Sequence, residues 1–271
     1  MCYSKEVQLT TGVTLGAFSA FYYVYYSIKY RATAKPWLLP FLKYIIATFA
    51  CAAGHQIFEF LSLATGSQTI YKIGLIISIS SMYFLLRSLE VILNRRLHSW
   101  LALILTGAVA LHAFLVDMPF VATSFYVRHS AAFIWAAAWL FLFIYFHVSA
   151  IASRKLLAAD SSKKAILAYF FAVIDLSFIL SVIYTLIGYF RFSVNVCADS
   201  PSIWCTFFVI QVFILPLFLS AVPRILDAPE HKTNQTLKQT LIYLAISLLI
   251  LAGLISTLPF FQCLTLKFVF P

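Results

Sequence analysis

Eight long apolar runs, parted by short breaks rich in Lys, Arg or Pro, occupy nearly all of the sequence. A hydrocarbon core about 30 Å thick takes roughly 20 apolar residues in a helix, and an open chain in lipid satisfies its own backbone hydrogen bonds only as a helix. The runs lie at about 8–27, 37–64, 70–93, 100–118, 131–152, 165–190, 203–226 and 237–261. They predict an all-α fold, a polytopic transmembrane helix bundle of eight spans forming a single integral membrane domain over 1–271. Composition agrees: 63% of residues are hydrophobic and 10% charged, with a mean hydropathy of +0.95, whereas soluble domains carry roughly a quarter charged residues to coat their exterior. A soluble enzyme on a single anchor, a disordered tail protein and a collagen or coiled-coil rod are excluded on the same ground.

The basic residues are unevenly placed. Only Lys5, Lys72, Arg128, Arg191 and Lys267 fall with the breaks after the even-numbered runs or at the chain ends, so of 19 Lys and Arg the other 14 lie with the breaks after runs 1, 3, 5 and 7. The positive-inside rule puts those four breaks in the cytoplasm and both termini outside. The net charge of +10 is therefore a topology signal, with anionic membrane lipid as its partner, and gives no argument for nucleic acid. The first residues lack the basic region, short apolar core and small-residue cleavage site of a secretory signal, so the first run is expected to stay as a span.

Of five cysteines, Cys197 and Cys205 lie in the break between runs 6 and 7, on the outer side. A disulfide there is sterically possible and would add ~2–3 kcal/mol through loop closure; two free thiols are the alternative. Cys51 falls inside run 2, where a small packing residue is expected. Cys2 would expose a free amine beside its thiol once Met1 is removed, a pair able to hold a soft metal.

Ionisable groups inside a span cost ~2.5–3.5 kcal/mol at mid-helix, so each needs a partner or a purpose. Run 2 carries the clearest pattern. Thr48, Cys51, Ala52, His55, Glu59 and Ser62 recur every three or four residues and form one small, polar face, which must look into the bundle. His55 and Glu59 stand at i and i+4, close enough to touch or to share a metal ion, with Gln56 on their flank. Because run 2 goes outward, these groups belong to the outer half. His112 and Asp117 on run 4, His129 at the start of run 5, Gln211 on run 7 and Asp175 near the middle of run 6 are candidates for the same cavity. Gly74, Ser78, Ser81 and Ser88 give run 3 a side that allows close approach or lines that cavity.

On the inner side Arg87 and Glu90, at i and i+3, are expected to pair and reach the cytoplasmic interface. The run Phe21-Tyr22-Tyr23-Val24-Tyr25-Tyr26 reads as an interfacial aromatic belt. There is no phosphate loop, dinucleotide glycine pattern, Gly-x-Ser-x-Gly or His-Glu-x-x-His in the chain.

The opening Met1-Cys2-Tyr3-Ser4, followed by a basic break and then Gln56-Ile57-Phe58-Glu59 in the second span, resembles a family of bacterial integral membrane proteins that begin Met-Cys-Phe-Ser and carry Gln-x-x-Glu in their second span. The resemblance covers about the first 60 residues, and this chain departs from it with Tyr3 for Phe and His55 where the family tends to have a second Gln. No activity is attached to the family. It implies a bacterial inner (cytoplasmic) membrane location and an outer-face meeting of Cys2, Gln56 and Glu59.

Three functional classes fit these residues. In the first, a transition metal (zinc, iron or copper) held by His55, Glu59, His112 and Cys2 or His129 would activate water or a redox partner on a lipid or small apolar substrate, with Glu59 and Asp175 as acid–base groups. Haem held between His55 and His112 is a further arrangement that two histidines on different helices allow. In the second, the same groups form the proton or cation relay of a coupled transporter or channel. In the third, the bundle is a membrane sensor or assembly subunit whose small loops suit membrane partners.

Overall fold

The computed structural model describes residues 5–32, 35–115, 130–153, 160–191, 203–229 and 232–250, and these are helical with short connections. The helices are α1 (Lys5–Lys29), α2 (Leu38–Thr65), α3 (Gln68–Leu93), α4 (Trp100–Leu115), α5 (Ser130–Ser153), α6 (Ser161–Arg191), α7 (Ile203–Asp227) and α8 (233–250). Each falls on one of the eight apolar runs, with ends shifted by a few residues, since a hydropathy window does not see caps. Stretches within α2, α3, α6 and α7 are long and apolar enough to cross a membrane.

The described residues fall into two compact units, one within Ser4–Lys163 and the other within Lys164–Pro271. In the first, α2 packs against α1 on one side and α3 on the other, and α3 also meets α4 and α5. Its core is Leu15, Phe41, Leu42, Ile45, Leu75, Ile79, Leu86, Leu142 and Phe146, all fully buried. In the second, Ile166 and Phe170 of α6 and Ile214, Leu215, Phe218 and Val222 of α7 are fully buried, with Tyr169 stacked on Phe218 at 5.9 Å.

Local chemistry sets the turns around α3. Gly66, at φ 70°, closes α2 in the left-handed conformation and its N–H donates to Ser62 O at 2.8 Å, a position where a side chain would be strained. Ser67 then caps α3 by accepting from Ile70 N. The two residues fold α2 back on α3 as an antiparallel pair. At the other end Asn94, φ 50°, closes α3 and Glu90 organises the turn into α4. Its Oε1 accepts from Leu97 N at 2.9 Å and Ser99 N at 3.1 Å, and its Oε2 from the Ser99 hydroxyl at 3.2 Å and from Arg87. Tyr145 of α5 donates to Leu97 O at 2.8 Å, tying α5 to the same turn. The pairing of Arg87 with Glu90 expected from spacing is present. Glu90 itself does not reach solvent: it is buried, because it serves the unsatisfied N–H groups at the start of α4.

Two features of α1 were not expected from its sequence. Gly12 and Gly16 let α1 lie on α2: a Cβ at Gly12 would stand 2.7 Å from Ile57 Cγ1 and 3.1 Å from Ala53 O, and one at Gly16 3.8 Å from Ala53 Cβ. That close approach is the small-residue packing of membrane helices. The aromatic belt is also divided. Phe21, Tyr23, Val24 and Tyr25 are exposed, but Tyr26 and Tyr30 are buried and form a stack with Tyr22, at centroid distances of 5.9 and 5.4 Å. The i, i+4 spacing of these three rings turns them to one side of the helix, so not all of the belt is interfacial.

Candidate functional site

The polar face of α2 is where the sequence placed it, in the interior. His55 and Glu59 are each 4% exposed and Gln56 1%. The helical repeat brings His55 Nε2 to 3.8 Å from Glu59 Oε2. Ser62, one turn further, is also fully buried.

The imidazole is fixed from two other helices. Its Nδ1 lies 2.9 Å from the backbone oxygen of Gly74 on α3. A carbonyl can only accept, so the proton sits on Nδ1, and Nε2 of a neutral ring presents a lone pair toward Glu59. Gly74 makes this approach possible, since a Cβ there would lie 3.2 Å from Phe58 Cβ and 3.6 Å from Nδ1. Trp135 of α5, itself buried, stacks on the ring with centroids 6.2 Å apart and planes 20° apart.

With a neutral ring and an ionised carboxyl, the pair would set two acceptors, a lone pair on Nε2 and a carboxylate oxygen, against each other in a buried site. Their separation exceeds a direct hydrogen bond of about 2.7–3.2 Å. Two such groups in low dielectric repel unless a proton or a donor lies between them. The Gln56 amide nitrogen and the hydroxyls of Ser62 and Ser78 are buried without a hydrogen-bond partner among the described residues.

Polar groups continue along the α2–α3 seam. Ser78 and Ser81 are 0% and 5% exposed, the Ser81 hydroxyl donates to Ser78 O at 2.6 Å, and Thr48 of α2 lies 3.5 Å from Ser81 O. Cys51, on the same stretch, is a half-buried free thiol.

The remaining candidates divide by position. His112 is half-buried on α4, with Nδ1 lacking a hydrogen-bond partner among the described residues. It does not make a third with the pair: among the described residues no group of three or more His, Cys, Asp or Glu is gathered. His55 and Glu59 alone fall short of the three protein ligands that a catalytic metal site takes. Asp175, half-buried in α6 and engaged by neighbouring groups, and Gln211, buried in α7 with its amide nitrogen unpartnered, belong to the other unit. Cys2, Asp117, His129 and Cys197 lie outside the described residues, as does the side chain of Cys205.

Trp135 was missed in the sequence, where it is one of many aromatic residues on a helix apolar all round. Gln8 and Ser19 of α1 were missed as well. Both are buried and without a hydrogen-bond partner among the described residues, and their signal was a polar residue repeating at helical spacing with Thr11 and Leu15. Lys72, counted among the outer basic residues, is a buried side chain of α3 whose ammonium lies 6.0 Å from the Phe114 ring. Comparison of the chain with protein-family models, with curated proteins and with solved structures finds no match.

Proposed function

We propose that this chain is a multi-pass protein of a bacterial inner membrane, with eight spans and both termini outside, and that His55 and Glu59 form the proton-carrying centre of a proton- or cation-coupled transporter or channel. The observation that carries the reading is the facing of His55 Nε2 and Glu59 Oε2 across 3.8 Å with Nδ1 already committed to Gly74 O. That geometry makes the pair a place where one proton resides on either group, which is the chemistry of intramembrane proton relays. Trp135 favours the same reading, because an indole face beside an imidazole stabilises the ring when it gains a proton.

The test uses purified full-length protein in liposomes that enclose a pH-sensitive dye, with an imposed pH step. Wild-type vesicles are expected to dissipate the step faster than empty ones, and Glu59→Gln to return the rate to the empty-vesicle level. Equal rates for wild type and Glu59→Gln would reject the relay.

A further inference from the structure

By the positive-inside rule the breaks after runs 1 and 5 share a side of the membrane, and in the first unit the two breaks meet. Lys35, between α1 and α2, donates from Nζ to the Ser162 hydroxyl at 3.2 Å, across 127 residues of sequence. The next residue, Lys163, sets its Nζ 5.4 Å from the centroid of the Trp37 ring, and Trp37 follows Lys35 by two positions. Each ammonium is thus held against a residue one or two positions from the other lysine, so both positive charges occupy one small patch. Lys35, Trp37, Ser162 and Lys163 are all half-buried, which makes the patch part of the fold.

Like charges brought together repel, and more strongly as water is withdrawn. On the nearby ends of α1, α2 and α3 the cations are met one at a time. Arg87 pairs with Glu90, Lys29 lies over the rings of Tyr25 and Tyr30 at 5.6 and 5.4 Å, and Lys43 over that of Tyr23 at 5.2 Å. The acid nearest to the two lysines in sequence is Asp160, whose Oδ1 accepts from Lys163 N at 3.0 Å at the start of α6. One carboxylate, already engaged as a cap, stands beside two ammonium groups.

We propose that Lys35 and Lys163, with Ser162 and Trp37, form a binding site for the phosphate of an anionic membrane lipid. A phosphodiester spreads one negative charge over two unesterified oxygens, and two neighbouring ammonium groups offer it charge-assisted donors. The Ser162 hydroxyl, which accepts from Lys35, has its own hydrogen to donate. An indole such as Trp37 suits the boundary where headgroups lie. Within one turn of it, half-buried Leu39 and exposed Pro40 give an apolar flank along which an acyl chain continues inward. A soluble phosphate would meet the same cations and make no use of that flank, so lipid is the occupant that fits both. The site is separate from His55 and Glu59 and does not depend on the relay.

The experiment places purified full-length protein in phosphatidylcholine nanodiscs that hold a small fraction of phosphatidylglycerol with a photoactivatable headgroup. In wild type the mapped crosslinks are expected at 35–37 and 160–163 in preference to the basic turn at 94–99. The half-saturating fraction of the anionic lipid should rise at least about tenfold in Lys35→Gln/Lys163→Gln, since each lysine near a membrane surface counts for about fivefold. Arg95→Gln/Arg96→Gln, which removes the same charge from exposed positions, and Lys35→Arg/Lys163→Arg should stay near wild type. Equal loss in the two glutamine variants would reduce the effect to general charge attraction and overturn the site. Wild-type crosslinks spread evenly over the three segments would overturn it without any variant having to fold. Displacement of the lipid by soluble glycerol phosphate would overturn the choice of lipid as occupant.

Discussion

At the residue scale the two buried carboxylates of the first unit behave differently, and the difference follows from what each can reach. Glu90 sits where α4 begins, and unsatisfied N–H groups at a helix start attract a carboxylate. It accepts from Leu97 N, Ser99 N, the Ser99 hydroxyl and Arg87, so it is a structural group with its acceptor capacity filled. Glu59, in mid-helix where the backbone is already paired, has His55 as its neighbour across a gap. Replacing Glu90 by Ala should therefore act on stability, leaving two buried N–H groups unpaired at a cost of about 2–5 kcal/mol. Unfolding in bicelles would read this, and Glu90→Gln should lose less because its amide oxygen still accepts. A loss under about 1 kcal/mol for Glu90→Ala would show that the turn holds without it.

At the element scale the helices were legible because their apolar runs are long, and the interior face of α2 because Thr48, His55, Glu59 and Ser62 recur at helical spacing. The partners of that face were not. Whether His55 meets His112 or a Gly74 carbonyl depends on how α3 and α4 are rotated, and a backbone oxygen has no signature in the sequence. The helix with the least informative pattern, α5, supplied Trp135. The fit of α1 on α2 is similarly decided by a missing atom. Gly12→Ala would set a Cβ 2.7 Å from Ile57 Cγ1 and 3.1 Å from backbone atoms of Ala53 and Ile57, so it should destabilise the α1–α2 pair by about 1–3 kcal/mol. Gly107→Ala, on α4 with nothing within 4 Å, should be neutral or gain up to about 1 kcal/mol from helix propensity. Thermal melts of the two variants in detergent check the pair. Equal melting temperatures would mean that α1 does not depend on contact at Gly12.

At the scale of the whole molecule, polar and apolar groups are arranged for a surrounding that is itself apolar. Leu115, Ile28 and Leu249 are 73–75% exposed while His55, Glu59 and Gln56 are 1–4% exposed, and large exposed apolar side chains are stable on the outside only where lipid covers them. In the proposed relay, orientation decides which compartment supplies the proton. The turn at Gly66 and Ser67 lies nearer to Glu59, and the turn at 94–99 lies at the far end of α3, beside Arg95 and Arg96. In the proposed orientation, with basic residues inside, the first turn would face out and the second the cytoplasm. Single cysteines at exposed Thr69 and Arg96, in a chain whose five native cysteines are replaced by serine or alanine, test this directly. A membrane-impermeant maleimide should label Thr69→Cys in intact cells and Arg96→Cys only after permeabilisation. The reverse pattern would invert the topology and make Glu59 the cytoplasmic end of the relay. Labelling of both from the same side would mean that α3 does not cross the membrane, and the proposed relay at Glu59 would have no second compartment to reach.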